Sequence, residues 1–406
     1  MLIATRLLAM TAALSLLPWA TLPAAAQVSG DVVKIGILTD MSGQFSENTG
    51  EGSVLAARMA IGDYGGTVRG HRIDLVSADH QNRADTGSAI AREWFDRDGV
   101  DLIADLVNSS VALSVMKVAK AKDRITFVLG SGSTRISNED CTDTNVQWTY
   151  DTFATATTIV KSMIAEGKDT WFFITADYSF GQSTERDASA IITAAGGRVV
   201  GSVKHPSNTA DFASFLLQAQ ASGAKVIALA SAGADAVNAI KQAGEFGLTE
   251  KQSLVGFAAV INDIHGLGLR TAQNMYLTER FYWDANAATR AFAARFFERM
   301  KKMPNMVHFA MYSAITHYLK AIDATNTDAT GAVMAQMRAV PVDDKFTTGG
   351  IIRPDGLMVH DMYLFQVKRP EQSKYPWDYY VERRRVPGVE AFAPLSASRC
   401  PLVARP

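Results

Sequence analysis

The sequence predicts an α/β protein with two mostly parallel sheets covered by helices. From residue 32 onward, short apolar runs alternate with amphipathic helical stretches, a rhythm typical of parallel sheets. The rhythm stops at an aromatic-rich segment, residues 146–151, and starts afresh near residue 170, so we expect a second sheet. Gly196, Gly197 and Gly223 stand where helices of this second half should end.

The composition is ordinary for a globular protein. The chain has 406 residues, 48% hydrophobic and 20% charged, which is enough for two domains with full cores. Its formal net charge of -1 gives no basic field for nucleic acid or an anionic membrane. We therefore expect small molecules or proteins as partners, and no nucleic acid.

The first 26 residues are typical of a cleaved export signal. Arg6 precedes an apolar run at residues 7–20, which is too short to span a bilayer, and Ala24, Ala25 and Ala26 suit a signal peptidase. The mature chain would begin at Gln27, in the periplasm. Because no cysteine follows the cleavage point, we do not expect a lipid anchor. An N-terminal core helix is the alternative.

The first half of the chain predicts a regular succession of elements. The strands are expected at residues 33–38, 73–78, 102–107 and 125–129, and the helices at 54–63, 84–98 and 111–122. Two polar turns follow the last two strands, at residues 108–110 and 130–134. In a right-handed βαβ unit both turns leave the carboxyl ends of neighbouring strands, where open α/β sheets bind ligands. Their hydroxyl and N–H groups suit an anion.

The second half predicts another sheet and then helices without a sheet of their own. The strands are expected at 170–175, 198–203, 226–230, 253–257, 274–281 and 359–368, and the helices at 153–166, 188–195, 212–221, 234–246, 289–303, 306–324 and 331–339. From Arg369 we expect an irregular tail. This order indicates three crossings between lobes, near Tyr150, Tyr282 and residues 349–356. The predicted lobes are residues 27–150 with 282–354, and 151–281 with 355–406.

Two cysteines, Cys141 and Cys400, would allow one disulfide in an oxidising compartment. Such a bond would fasten the tail to the loop after the second polar turn. Two unpaired cysteines are the alternative.

Catalytic and metal-binding signatures are missing from the sequence. It contains no G-x-S-x-G, H-E-x-x-H, C-x-x-C or P-loop motif, and the glycines at 130–132 lack the third glycine of a dinucleotide fingerprint. His308 and His317 are nine residues apart on one predicted helix, which places them on opposite faces. We therefore expect no enzyme activity, cofactor or metal.

Four segments resemble the periplasmic solute-binding proteins of the branched-chain amino-acid (Leu/Ile/Val) type, which serve ABC importers. They are residues 34–43, 108–110, 131–134 and 176–181, and their order and spacing carry the resemblance over nearly the whole mature chain. The resemblance implies two Rossmann-like lobes of the type I arrangement, joined by three hinge crossings, with ligand enclosed between them. It also implies a membrane permease as partner, and we expect a monomer.

The resemblance also implies roles for individual residues. The substrate carboxylate would be held by the two polar turns, and the first-lobe turn at residues 45–49 would lie over the ligand. The second lobe would close with an aromatic residue from its turn at residues 177–180. The residues predicted to bind ligand on these grounds, together with nearby aromatic residues, are Phe45, Asn108, Ser109, Ser110, Ser131, Gly132, Ser133, Tyr150, Tyr178, Phe180, Phe257 and Tyr282.

Two departures from the family pattern indicate the ligand class. Amino-acid binders hold the substrate ammonium with an acid in a second-lobe turn that here reads residues 256–259 and contains no Asp or Glu. Another turn, residues 231–234, carries small residues where an aromatic is expected, which predicts a larger pocket. Trp148 and Trp283 add to the aromatic set, with hinge packing as their alternative role. We therefore predict an aromatic acid without an α-ammonium group.

Two alternatives stay open. If Asp263 or Asp177 reaches the ammonium position, the protein would bind a branched-chain amino acid or an amide. A sensory module that presents its ligand to a receptor is the other possibility, because docking surfaces leave no motif.

Overall fold

The computed structural model describes residues 27–403. The predicted export signal lies outside the described residues. Within residues 27–403 no helix is long and apolar enough to cross a membrane. The fold is mixed α/β with two mostly parallel sheets, as predicted from the alternation of apolar runs and amphipathic stretches.

The first sheet has six strands, parallel except for a short antiparallel edge. They are β1 (Val32–Thr39), β2 (Thr67–Val68), β3 (His71–Asp79), β4 (Leu102–Asp105), β5 (Ile125–Val128) and β6 (Asn145–Gln147), in the spatial order β2-β3-β1-β4-β5-β6. The connecting helices are α1 (Gly50–Asp63), α2 (Ala84–Asp96) and α3 (Ser109–Ala121). Residue parity assigns each strand side chain to a face: Leu102 and Ala104 belong to one apolar cluster and Ile103 to the other.

The second sheet begins with five parallel strands. They are β7 (Thr170–Ala176), β8 (Arg198–His205), β9 (Val226–Ala230), β10 (Ser253–Gly256) and β11 (Tyr276–Glu279). The helices of this part are α4 (Thr152–Ala165), α5 (Ser179–Ala194), α6 (Ala213–Ala221), α7 (Gly233–Glu245), α8 (Ile261–Leu267) and α9 (Leu269–Ala272).

The remaining elements return to each sheet in turn. They are α10 (Ala287–Met300), α11 (Met306–Thr325), α12 (Thr330–Ala339), β12 (Ile351–Ile352), β13 (Met358–Val359), β14 (Met362–Val367), β15 (Tyr380–Val386) and α13 (Gly388–Ala391). Helices α10 and α11 pack on α1 beside the first sheet. Strands β14 and β15 extend the second sheet, whose order is β15-β14-β11-β10-β9-β7-β8.

Between β6 and β14 the chain passes between the sheets three times, at residues 148–151, 280–286 and 360–361. Residues 357 and 358, which we assigned to the second lobe, belong to the apolar cluster of the first sheet, and β13 pairs with β12 there. The third passage therefore follows β13. The exact division of the chain into lobes stays a prediction.

Two local predictions were wrong for reasons of backbone geometry. Strand β4 ends at Asp105 instead of residue 107, because Asp105 and Leu106 have φ of 86° and 55°. Helix α3 begins at Ser109 instead of residue 111, because the Asn108 side chain caps it by accepting hydrogen bonds from the N–H groups of Ser110 (2.9 Å) and Val111 (3.3 Å).

The tail predicted to be irregular from residue 369 contains β15, which pairs antiparallel with β14. The strand was missed because residues 382–385 are four consecutive exposed charged residues, a pattern that hides the usual alternation and protects a sheet edge. After β15 the chain reaches the first sheet again, where Cys400 forms a disulfide with Cys141 across a Cα–Cα distance of 5.6 Å.

Candidate ligand-binding site

A small enclosed cavity lies where the carboxyl ends of the two parallel sheets face each other. Its volume is about 30 Å³, room for one or two water molecules. Most lining residues follow directly after strands or belong to the first-lobe turn, as expected for ligand sites in open α/β sheets. The lining consists of Phe45, Asn48, Thr49, Val107, Gly130 and Tyr150 from the first-sheet part, Tyr178, Phe180, Ala232, Ala258 and Val260 from the second, and Met306 and Val307 from α11.

The cavity wall contains no charged side chain. None of its lining residues is Asp, Glu, Lys, Arg or His. The two acids that could have served an ammonium group lie elsewhere. Asp177 is exposed and pairs with Gln182 and Lys204. Asp263 lies behind the wall, where its Oδ2 accepts hydrogen bonds from the N–H of Val260 (3.0 Å) and Nδ2 of Asn48 (3.3 Å).

Burial changes the protonation of Asp263. The side chain is 5% exposed, and desolvation raises its pKa to about 7. The hydrogen bonds from Val260 and Asn48 oppose this rise, and the nearby Glu47 adds to it. A carboxyl in this position is a weak counter-ion for a ligand ammonium.

Four predicted site residues bring aromatic rings to the cavity. Phe45, Tyr150 and Phe180 are buried, and the rings of Tyr178 and Phe180 lie 6.1 Å apart. The Tyr150 hydroxyl donates to the carbonyl of Gly130 at 3.0 Å. Its ring packs on Gly132, where an added Cβ would lie 2.3 Å from a ring carbon, so a side chain at 132 would displace the ring.

The serines of the two polar turns lie immediately behind this wall. Val107 and Gly130 line the cavity, and the serines follow them in the chain. The Ser131 hydroxyl donates to the carbonyl of Leu106, and the Ser133 hydroxyl bonds Ser183 (2.8 Å) on helix α5 of the second sheet. These two hydroxyls are therefore occupied within the protein.

Two other residues of the first polar turn serve the start of α3. The side-chain oxygen of Asn108 caps the helix by accepting from the Ser110 N–H group, and Ser110 is half-buried in the first helical turn. Ser109 differs from both, because its hydroxyl is buried and has no hydrogen-bond partner within residues 27–403. Among the predicted turn serines, Ser109 keeps a free buried hydroxyl at the N-terminus of a 13-residue helix.

Phe257 and Tyr282, two further predicted site residues, do not line the cavity. Phe257 shares a sheet face with Val255 by strand parity and stacks on Phe173 with ring centroids 6.4 Å apart. Its neighbour Ala258 reaches the cavity instead. The Tyr282 hydroxyl donates to the carbonyl of Trp377 in the C-terminal segment, at 3.3 Å.

The two tryptophans added to the aromatic set also lie away from the cavity. Trp148 is fully buried in the first core, with its ring 5.8 Å from that of Phe127. The indole N–H of Trp283 donates to the carbonyl of Trp377 at 3.0 Å. Both tryptophans lie beside passages of the chain between the sheets.

The larger pocket expected from the small residues at 231–234 stays a prediction: Ala232 lines the cavity, whereas Gly233 packs against the first-lobe turn. Gly233 has φ of 61°, and an added Cβ would lie 2.3 Å from the carbonyl oxygen of Gln44. The N–H of Ala234 donates to the same oxygen at 3.0 Å. Small residues are needed here because the first-lobe turn packs directly on this helix start.

A family comparison identifies the architecture. The model of the family described as "Periplasmic binding protein" matches residues 32–374. The chain belongs to the periplasmic binding protein family. The sequence resemblance proposed from residues 34–43, 108–110, 131–134 and 176–181 is thereby confirmed.

Members of the periplasmic binding protein family with solved structures superpose closely on this one. A periplasmic binding protein from Burkholderia mallei is 46% identical, with a TM-score of 0.90, covering 92% of this chain and 99% of its own. A protein from Burkholderia xenovorans described as a branched chain amino acid ABC transporter periplasmic ligand-binding protein is 41% identical, with a TM-score of 0.82, covering 91% and 99%.

More distant periplasmic binding proteins share the fold. A solute binding protein of an ABC transporter from R. palustris, solved in complex with benzoate, is 18% identical with a TM-score of 0.82, covering 91% of this chain and 100% of its own. The Leu/Ile/Val-binding protein homolog 6 of Brucella abortus is 26% identical over 203 residues, 50% of this chain. The chain spans about half the length of the curated relatives it matches, 51%.

Sequence reasoning missed several lining residues of this periplasmic binding protein. Met306 and Val307 enter the cavity from the first turn of α11, which Asn305 caps by accepting from Val307 N–H at 2.9 Å. Asn48 lies in the first-lobe turn that we had placed over the ligand, but only Phe45 was singled out there.

Within the described part of the chain, no cluster of three His, Cys, Asp or Glu could hold a metal.

Proposed function

We propose that this protein is the periplasmic solute-binding component of an ABC importer that captures a small aromatic carboxylate between two closing lobes. The observation that carries the proposal is the cavity wall, which has four aromatic rings and no charged side chain. An ammonium group enclosed there without a carboxylate partner would cost several kcal/mol. Aromatic rings, in contrast, favour a flat apolar body.

The carboxylate of such a ligand would bind at the ends of β4 and β5. Ser109 offers a free buried hydroxyl, and its own N–H group begins helix α3, where the helix dipole favours an anion. In the second turn, the N–H groups of Ser131 and Gly132 have no assigned partner within residues 27–403. Neutral donors of this kind replace the water lost by a carboxylate without a buried cation.

Ligand entry requires movement of the lobes. A cavity of about 30 Å³ is too small for a benzene ring, so a bound ring would hold the lobes further apart than they lie here. The three passages between the sheets supply a hinge for this movement. The lobes meet through polar contacts near the cavity, among them Gln44 with Ala234 and Ser133 with Ser183.

The relatives agree on the importer role but differ in the ligands that their descriptions name. The benzoate-bound neighbour shows that this fold accommodates an aromatic acid in another protein. The Burkholderia xenovorans relative carries a branched-chain amino-acid description, which favours the alternative ligand class for this chain. The uncharged wall is the reason for preferring the acid. A membrane permease is the expected protein partner, and a monomer the expected state.

A branched-chain amino acid or amide is the second candidate, and one contact favours it. Asp263 is joined to the lining residue Asn48, so a small shift of Asn48 would expose a carboxylate to the ligand. The raised pKa of Asp263 argues against this role near neutral pH, because the carboxyl is then partly protonated.

A thermal-shift panel distinguishes the two candidates. Benzoate, 4-methylpentanoate, leucine and valine would each be added to the purified protein without its export signal. A ligand present at 100 times its Kd raises the free energy of unfolding by about 2.7 kcal/mol, which gives a clear shift in Tm. We expect benzoate to raise Tm and leucine to leave it unchanged. If only leucine or valine raises Tm, the ligand is a branched-chain amino acid and the aromatic-acid proposal is wrong.

A further inference from the structure

The amide of Asn48 stands out among the side chains of the cavity wall. Asn48 is 7% exposed and lines the cavity from the first-lobe turn. Its side-chain oxygen Oδ1 is buried and has no hydrogen-bond partner within residues 27–403. Within residues 27–403, no other side chain that lines the small cavity has a buried polar atom without a hydrogen-bond partner.

One hydrogen bond of the amide itself and two around it set its position and orientation. Its Nδ2 donates to Oδ2 of Asp263, on the opposite lobe, at 3.3 Å. That oxygen also accepts the N–H of Val260, so it acts as an acceptor and the amide must present its NH₂ group there. The Asn48 carbonyl in the main chain accepts from Nδ2 of Asn305 at 2.9 Å. Oδ1 is therefore the free end of a held side chain.

An unpaired buried amide oxygen has an energetic consequence for ligand choice. A buried acceptor without a donor destabilises the empty site, and a donor supplied by a ligand recovers that cost. The carboxyl behind the NH₂ group polarises the amide and makes Oδ1 a better acceptor. A site with such an acceptor discriminates against analogues that lack the donor.

Asn48 lies between the small cavity and a second, larger one. The same residue also lines a larger surface cavity of about 350 Å³, which lies between the first-lobe turn and helices α7 and α8. Gln44, His265 and Trp377 form other parts of its wall. The Gln44 side-chain oxygen is likewise buried without a partner in the described chain.

Resting on the proposed function, we propose that Asn48, positioned by Asp263, is a specificity-determining residue that accepts a hydrogen bond from a hydroxyl or amino group on the ligand. The preferred ligands are then aromatic acids that carry such a donor on the ring. Asp263 acts through Asn48 and is a positioning residue.

The test is a calorimetric comparison of matched ligands. Benzoate, 3-hydroxybenzoate, 4-hydroxybenzoate and 4-aminobenzoate would be titrated into the wild-type protein and into Asn48→Leu and Asn48→Ala. In the wild type we expect the best donor-bearing acid to bind on the order of tenfold more tightly than benzoate. In both variants this preference should disappear while benzoate still binds, which also shows that the variants are folded.

Two further variants separate direct from indirect effects. Asp263→Asn retains an acceptor for Asn48 but removes the charge, so the preference should fall by a few-fold without vanishing. Asn262→Leu is the matched control, because Asn262 also forms polar contacts at this face, with Met303 and Asn305, and lines the larger surface cavity but not the small cavity between the sheets. It can change all affinities together but should leave their ratio unchanged.

The failures of the two proposals are distinguishable. If the wild type binds benzoate and its hydroxylated and aminated analogues equally, or if Asn48→Leu keeps the preference, the role of Asn48 is overturned and the aromatic-acid proposal stands. If none of the four acids binds, the proposed function fails and the inference about Asn48 falls with it.

Discussion

At the scale of single residues, the hydroxyls of the two polar turns divide into those already paired and one that is free. Ser131 donates to Leu106 and Ser133 bonds across the lobes, whereas the Ser109 hydroxyl has no partner within the described residues. A serine side chain can contribute to ligand affinity only if its hydroxyl is available in the bound state. The two turns are therefore not equivalent in spite of their similar composition.

This distinction predicts different effects for two serine variants. Ser109→Ala should weaken benzoate binding by about 1 to 2 kcal/mol and leave the unfolding midpoint in urea nearly unchanged. Ser131→Ala should instead lower stability by about 1 kcal/mol, because the Leu106 carbonyl loses its donor. Titration calorimetry and urea denaturation measure the two quantities. Equal loss of affinity in both variants would contradict the division.

Asp151 gives a pH-dependent prediction at the same scale. It is 2% exposed and caps α4 by accepting from Ala154 N–H at 2.7 Å, and burial raises its pKa to about 7, with Asp187 and Asp355 nearby. Because the folded state holds this proton more tightly than the unfolded state, the contribution to stability is full below pH 4 and is lost as pH rises towards 7.

Asp151→Asn should remove this loss, since asparagine caps helices equally well and does not titrate. Relative to the wild type, the variant should gain on the order of 2 kcal/mol between pH 5 and pH 8. Urea denaturation at the two pH values provides the measurement. Parallel stability profiles for variant and wild type would show that Asp151 has no raised pKa.

At the scale of elements, polar contacts join the second turn to α5 beside the other sheet. The Ser133 hydroxyl lies 2.8 Å from that of Ser183, and Thr134 donates to Asp187 on the same helix at 2.9 Å. The second polar turn is therefore occupied mainly with holding the opposite lobe.

This contact predicts non-additive variants. Ser133→Ala should lower the free energy of unfolding by about 1 kcal/mol, and Ser183→Ala by no more than that, because Ser133 also lies 3.1 Å from Ser179. The double variant should be no less stable than Ser133→Ala alone, which a double-mutant cycle in urea measures. Effects on stability that add would show that the two serines act independently.

The C-terminal segment is a second element with a testable role. The disulfide between Cys141 and Cys400 joins residues 259 apart in sequence and holds this segment on the first-sheet part. The double variant Cys141→Ser, Cys400→Ser should lose up to about 4 kcal/mol of unfolding free energy, because the unfolded chain gains freedom. Binding of benzoate should persist, as neither residue lines the cavity. Unchanged stability in urea would contradict the expectation.

At the scale of the whole molecule, the order of the strands was predictable from the sequence, whereas their exact ends and the side-chain directions were not. Apolar runs followed by polar turns located the two sheets and the edge where they meet. Phe257 was wrongly predicted to bind ligand. Successive residues of an extended chain point to opposite faces, and here Ala258 faces the cavity while Phe257 faces the core. No local pattern resolves that difference where a strand ends.

Contacts between the lobes were the other limit. Asn48 and Asp263 are 215 residues apart, and Gln44 packs on Gly233, so neither pairing leaves a local signal. Small residues at 231–234 were interpreted as space for the ligand only, but Gly233 among them also allows close approach of the opposite turn. Strand β15 was missed for a different reason, because its charged residues face solvent at a sheet edge.

The central claim is that the wall between the lobes accepts a carboxylate and rejects an α-ammonium group. Two pairs of compounds differ by that group alone: 3-phenylpropanoate with L-phenylalanine, and 4-methylpentanoate with L-leucine. Calorimetric titration of both pairs into the wild-type protein at pH 7 tests the claim most directly. We predict that the acid in at least one pair binds at least 100-fold more tightly than its amino acid, about 2.7 kcal/mol. Equal or tighter binding of the amino acid would contradict the account.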